Sequence, residues 1–437
     1  MNSNERALAS AVAKATRRLL PFLALMLILA FLDRANIGFA KNAYQAETGI
    51  SDAAYALGAG IFFIGYALFE VPSNLILHRV GARLWLSRIM ISWGLVSAAM
   101  MFAHTPTQLY VLRFLLGVCE AGFYPGVLLY LTYWFPAKQR ARATGLFYLG
   151  VPLSLVIGSP LSGWLLTHHG ILGLSNWQWM FVVEGVAATI VGIVALFYLD
   201  SKPSEAKWLS SEEKRVLTAA LESEETIKLR AVSHTALGVL KDPRVLIFIG
   251  IYFFIQMGTG PLTFYLPSRI AQAAGTDVDF MVGILLAVPW LCAVVATRAF
   301  TVYADKNDNH RLVCIAMITA GTLALAAIGM TTSLLVIVIA SCIAVPGLTA
   351  SQPVFWSLPT RYLSGTGAAS GIAFIVSLGN LGSFLSPQVK AYTDRLTGNG
   401  DAGFYVLACL CFVSVVLLLG VPSATEVGTS DELAPTR

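Results

Sequence analysis

The sequence predicts an all-α polytopic membrane protein, with twelve transmembrane helices arranged as two six-helix pseudo-repeats. Three observations carry that expectation. Of 437 residues, 57% are hydrophobic and only 12% are charged, too little charge to cover a soluble protein of this size. The mean hydropathy of +0.72 is concentrated in runs of about 20 residues, the length a helix needs to cross a hydrocarbon core. Six such runs precede one long polar stretch and six follow it.

The first six runs lie near 19–40, 55–78, 84–103, 108–132, 143–167 and 178–199. The second six lie near 245–268, 280–303, 312–330, 333–356, 367–391 and 403–420. Lys14, Arg17 and Arg18 before the first run resemble the start of a secretory signal. The apolar run continues past Asp33 to Ala40 without a well-placed cleavage site, so it reads as an uncleaved span. Basic residues then recur at alternate ends: Arg79 and Arg83, Lys138, Arg140 and Arg142, Lys306 and Arg311. The opposite loops hold few, so the positive-inside rule predicts that both termini are cytoplasmic.

Residues 1–199 are thus expected to form one half and residues 244–437 the other half with a tail. Residues 200–243 read as a cytoplasmic linker. Ser210-Ser211-Glu212-Glu213 offers it a capping-box start to a short amphipathic helix. The halves echo each other. Tyr133-Trp134-Phe135-Pro136 ends the fourth run, and Phe355-Trp356-Ser357-Leu358-Pro359 ends the tenth. Ala143-Thr144-Gly145 opens the fifth, and Ala369-Ser370-Gly371 opens the eleventh. Arginines follow Gly81-Ala82 and Asn309-His310 after the second and eighth. Parallel six-helix repeats of this kind hold the substrate at their interface in many carriers.

Charges inside the runs mark the candidate site. Arg113 and Glu120 are seven residues apart on one helical face, with Gly117 between them. They either pair with each other as a structural staple or serve a polar site. Asp33 and Arg34 lie inside the first run, which favours the site, although a water-facing helix end would also suit them. A carboxyl can gain and lose a proton, whereas an arginine must find an anion. Asp33, Glu120, Arg34 and Arg113 therefore read as two titrating acids and two fixed cations. Tyr66 is either a packing residue or a hydroxyl donor, and Glu70 suits a gate or an interface equally. Gln256, Gln352, Ser377, Asn380 and Ser383 leave the second half uncharged but polar. Asn380, between Gly379 and Gly382, suits either a ligand contact or a bond between helices.

Other features narrow the class. Gly158 to Gly163, with Pro160, is expected to kink the fifth span, and Trp177 to Phe181 reads as an interfacial aromatic belt. Cys119, Cys292, Cys314, Cys342, Cys409 and Cys411 lack metal or disulfide spacing. No P-loop, dinucleotide fingerprint, zinc motif or nucleophile elbow is present, so no cofactor, metal or enzymatic role is expected.

FLDRANIGFA at 31–40, GIFFIGYALFEVPSNLILHRVGAR at 60–83, RFLLGVCEAGFYPG at 113–126 and LTYWFP at 131–136 resemble the anion:cation symporters of the major facilitator superfamily. The resemblance spans the whole chain. It is strongest to bacterial carriers of tartrate, rhamnonate and related hydroxy acids, with hydroxyphenylacetate and phthalate permeases next. It implies the major facilitator fold, a bacterial inner-membrane location and proton-coupled uptake of a small organic anion. By position, Asp33, Arg113 and Glu120 match the coupling residues of the family, Arg34 its substrate arginine, and Tyr66 and Asn380 its cavity lining. Gln352 and Trp356 join them as candidates for reading the body of the anion. Asp33 is expected to pair with Arg113 when ionised, while Glu120 responds to the occupied site. Two departures stand out. His78 replaces the usual acid before the loop arginine, and Leu149-Gly150-Val151-Pro152 lacks the glutamine of some sugar-acid carriers.

The expected activity is therefore secondary uptake of a hydroxy or sugar acid with protons, by a monomer in the lipid bilayer without nucleic acid. Aromatic-acid uptake is the nearest alternative. An organic-phosphate exchanger would favour another buried cation, and Ile251 to Thr263 has none. A non-transporting sensor would not need two titratable acids.

Overall fold

The computed structural model describes residues 3–168, 171–229, 242–362 and 365–421. Part of the expected linker, 230–241, and the expected tail, 422–437, lie outside the described residues. All regular structure among the described residues is helical. The chain opens with α1 (Ser3–Thr48), α2 (Asp52–Val80) and α3 (Ala82–Ala99). The fourth span comprises α4 (Pro106–Glu120) and α5 (Phe123–Trp134), and the fifth comprises α6 (Ala137–Tyr148) and α7 (Gly150–Leu166). Next come α8 (Asn176–Tyr198) and the linker helix α9 (Ser211–Leu229). Beyond it lie α10 (Pro243–Phe264), α11 (Leu266–Ala274), α12 (Phe280–Asn307) and α13 (His310–Met330). The tenth span is α14 (Leu334–Thr349) with α15 (Ser351–Tyr362), the eleventh α16 (Gly365–Gly379) with α17 (Leu381–Thr397), and α18 (Ala402–Leu419) is last.

Eleven stretches of the described helices are long and apolar enough to cross a membrane. The expected eleventh span is divided at Asn380 into helices of 15 and 17 residues, each short for a crossing. The breaks have a common chemistry. Proline has no N–H for the carbonyl four residues back. Pro125, Pro152 and Pro353 thus leave Ala121, Tyr148 and Thr349 without that bond, where α4, α6 and α14 end. At the first break Gly122 takes φ 84°, a left-handed conformation that favours glycine. At Asn380 the ladder tightens instead, with the Ser383 N–H donating to Asn380 O at 3.0 Å. Spans four and ten are both broken, as are five and eleven, which is the repeat seen again in backbone form.

Two compact units emerge from the packing: residues 1–233 with 263–291, and residues 234–262 with 292–437. In the first, α3 lies along α8, α2 along α4, and α1 along α7 and α8. Residues 263–291 belong with it because α11 packs on α1, and the Tyr55 hydroxyl donates to Ile37 O at 2.8 Å and Phe264 O at 3.4 Å. In the second, α13 packs against α14, α15 and α18. Large apolar side chains such as Phe197, Leu323 and Leu335 stand exposed, as a lipid-facing surface requires.

The helix α7 continues through Gly158–Gly163 with Pro160 inside it, and the interruption of the fifth span falls at Leu149. One local expectation changes. Trp177 and Phe181 are core residues rather than a belt. The Trp177 indole stacks edge-on against Tyr44 at 4.9 Å and donates to Glu47 Oε2 at 2.9 Å, so both its apolar and polar needs are met inside. The capping box forms as the sequence predicts. Glu213 N–H donates to Ser210 Oγ at 3.2 Å, and Ser210 N–H donates back to Glu213 Oε2 at 2.8 Å. Lys14 Nζ at 2.9 Å and Ser10 Oγ at 2.6 Å also donate to this carboxylate, tying α9 to α1.

Candidate functional site

Successive helical residues turn by about 100°, so neighbours on α1 face different helices. Arg34 faces α2 and α4. Its Nε and Nη2 both lie 2.6 Å from Glu120 Oε1. The Glu120 side chain is wholly buried, whereas that of Arg34 is 20% exposed, so the cation keeps an open edge. Its guanidinium lies over three rings, with centroid distances of 5.0 Å to Phe31, 5.4 Å to Phe62 and 4.8 Å to Tyr66. This cage holds the planar fork in place and makes Tyr66 its neighbour. Glu120 Oε2 is buried with no hydrogen-bond partner.

Arg113 pairs with neither acid. It donates from Nε to Gly58 O and from Nη2 to Ala59 O, each at 3.3 Å, and lies over Phe62 at 5.1 Å. The staple between Arg113 and Glu120 therefore does not form, because Glu120 is taken by Arg34. The expected pair of Asp33 with Arg113 does not form either, since Asp33 accepts from the Ser97 hydroxyl on α3. What the common face of α4 does provide is close approach. A Cβ at Gly117 would stand only 2.9 Å from Tyr66 N, so its absence lets α2 come near enough for its carbonyls to reach Arg113.

One acid escapes the sequence reading. Glu184 on α8 is buried, accepts from Ser162 Oγ at 2.9 Å, and leaves Oε2 unpartnered. Asp33 and Asn36 of α1 both face it. The signal was available, because Glu184 is the single charge within the apolar run 178–199.

In the second unit the polar candidates gather without charge. Gln256 on α10 is the hub: its Nε2 donates to Asn380 Oδ1 at 3.1 Å and Ser383 Oγ at 3.3 Å. Its Oε1 accepts from Gln352 Nε2 at 3.3 Å. Trp356 stands beside it in an aromatic group, 5.0 Å from Tyr252 and 5.3 Å from Phe355. Elsewhere, His78 Nδ1 lies 3.1 Å from the Tyr133 hydroxyl, so the histidine that replaces an acid has a neutral partner.

Chemically, a caged arginine can bind an anion in place of a carboxylate that a proton neutralises. Comparison with known proteins gives the family. Residues 23–387 match the Major Facilitator Superfamily. A putative tartrate transporter of Agrobacterium vitis is 43% identical over 97% of this chain and 95% of its own. The inner membrane transport protein RhmT of Escherichia coli K12 is 41% identical over 97% and 98%. Among solved structures, a bacterial homologue of the lysosomal transporter Spinster, inward-facing and occupied, superposes with TM-score 0.73 over 96% of this chain and 98% of that one, at 17% identity. Family, fold and near relatives coincide: the chain is a membrane transporter of the major facilitator superfamily.

Proposed function

We propose that this transporter takes up a small organic anion together with protons, a hydroxy dicarboxylic acid of the tartrate class being the favoured substrate. The observation that carries the reading is the Arg34–Glu120 pair at 2.6 Å, in which an acid of the protein occupies the cation a substrate carboxylate would need. Protonation of Glu120 dissolves the pair, so Arg34 can take the anion. Release of that proton restores the internal carboxylate and expels the anion. Proton and anion thereby bind together and leave together. Asp33 and Arg113 act beside this pair, Asp33 as a second titrating acid and Arg113 as a fixed positive charge. Arg34 and Tyr66 engage the carboxylate, and Asn380, Gln352 and Trp356 read the rest of the molecule. The near relatives named as tartrate transporters support a hydroxylated acid.

The basic residues Lys14, Arg17, Arg18, Arg79 and Arg83 support cytoplasmic termini in a bacterial inner membrane, and the protein is taken to work as a monomer. The aromatic group of Tyr252, Phe355 and Trp356 favours one second reading, an aromatic acid. Counterflow in proteoliposomes with hydroxy, deoxy and aromatic acids separates the two. A hydroxyl-reading site rejects the deoxy analogue strongly, because its own polar groups would be left unpaired. Equal uptake of hydroxy and deoxy acids would overturn the hydroxy-acid reading. Uphill uptake driven by an imposed pH gradient tests the coupling.

A further inference from the structure

Glu184 is not explained by the anion site. Its neighbours come from two helices, Ser162 from α7 and Asp33 with Asn36 from α1, while Ser97 from α3 holds Asp33. Asp33, Asn36, Ser97, Ser162 and Glu184 are all under 5% exposed. Among the described residues no arginine or lysine reaches Glu184, and Asp33 is the one charged group that faces it. Each carboxyl has one oxygen with a hydroxyl donor and a second, buried oxygen with no partner. Asn36, three residues along α1 from Asp33, is fully buried and faces Glu184, with its Nδ2 and Oδ1 free to bond it. A side-chain amide in that position serves two protonation states at once. Its oxygen accepts from a protonated carboxyl and its NH2 donates to an ionised one. Arg113 and Arg34 act on Asp33 but not on Glu184, and a buried carboxylate with no cation beside it does not stay ionised, so a proton belongs in this pocket.

We propose that Glu184 is a third proton-binding site of the transporter, which takes and gives up a proton with each transport cycle in the pocket it forms with Asp33 and Asn36. This inference rests on the proton-coupled reading above.

The test has two arms on the full-length protein. Infrared difference spectra between acid and alkaline pH need no substrate. In the wild type, a protonated-carboxyl band assigned to Glu184 should bleach as pH rises, and Glu184→Gln should remove it while Glu120→Gln leaves it in place. In proteoliposomes with tartrate as probe, Glu184→Gln should still catalyse counterflow but move about one proton fewer per anion. Should Glu184→Gln fail to fold, Ser162→Ala removes the hydroxyl donor and should move the pH at which the same band bleaches. The inference is overturned if no Glu184 band titrates, or if the wild type is proton-coupled and Glu184→Gln matches its spectrum and its proton-to-tartrate ratio. A wild type that moves tartrate with no proton at all would overturn the coupled reading itself, a result distinct from the former.

Discussion

The two units solve the same problem, polar groups inside an apolar protein, by opposite means. The first uses charge. Arg113, Asp33, Glu120 and Glu184 are buried, Arg34 keeps an open edge, and three of the acids' oxygens have no hydrogen-bond partner. The second holds its buried Lys390 against Asp394 and gathers neutral amides round Gln256, to which Gln352 and Asn380 both bond. A buried charge that lacks a full set of bonds responds to a proton or an ion. An amide network with matched donors and acceptors does not titrate, and its geometry is set by direction rather than by charge. On the proposed function, the difference suits the first unit to energy coupling and the second to recognition of the substrate's shape.

The largest expected effect falls in the charged unit. Arg34→Lys replaces a planar fork with a point charge and should cost about 2–3 kcal/mol of anion binding, roughly 30- to 150-fold in affinity by calorimetry. An unchanged affinity would remove Arg34 as the anchor. Next is Gly117→Ala on the face that carries Arg113 and Glu120. The added methyl meets the backbone of α2, and such overpacking should cost about 1–3 kcal/mol of stability, read as a lower melting temperature.

In the amide unit, Gln256→Ala should act differently. It removes the hub of Gln352, Asn380 and Ser383, so it should cost about 1 kcal/mol, mostly as lost preference for a hydroxy over a deoxy acid. Proton-driven accumulation should survive it. If instead Gln256→Ala abolishes coupling while keeping selectivity, the division between the units is wrong.

The smallest effect lies outside both clusters. Burial would raise the Glu213 carboxyl, but the bonds from Lys14, Ser10 and the Ser210 N–H outweigh it and hold the group at about 2. A depressed carboxyl contributes stability above its unfolded value, and that contribution fades as pH falls towards the folded one. Glu213→Gln should therefore lower stability by about 1 kcal/mol at neutral pH, with the difference from wild type vanishing near pH 2. A difference that persists undiminished at acid pH would show that packing, and not charge, ties α9 to α1.

Much of this was legible in the sequence, for physical reasons that also mark its limits. Spans are encoded in composition, so the apolar runs and the capped linker helix were readable residue by residue. Asp33, Arg34, Arg113 and Glu120 stood out because a charge in an apolar run is costly wherever it points. Partnership was not legible. Which of two arginines takes Glu120 depends on the helices facing α4, where the Gly58 and Ala59 carbonyls of α2 engage Arg113 and Arg34 of α1 takes the acid. Glu184 was as conspicuous as Glu120 but carried no familiar motif around it. Trp177 was misplaced because a tryptophan at the end of a span suits an interface and a core equally well, until Glu47 is seen to take its N–H.

The central claim is that one cation serves either Glu120 or the anion, and that a proton chooses between them. It is tested most directly by anion affinity as a function of pH, measured by calorimetry in detergent on wild type and Glu120→Gln. Wild-type affinity should rise as pH falls, because protonated Glu120 releases Arg34. Glu120→Gln should bind at least as tightly as the acid-pH wild type and lose most of the pH dependence. A Glu120→Gln protein that binds the anion with undiminished wild-type pH dependence would contradict the account.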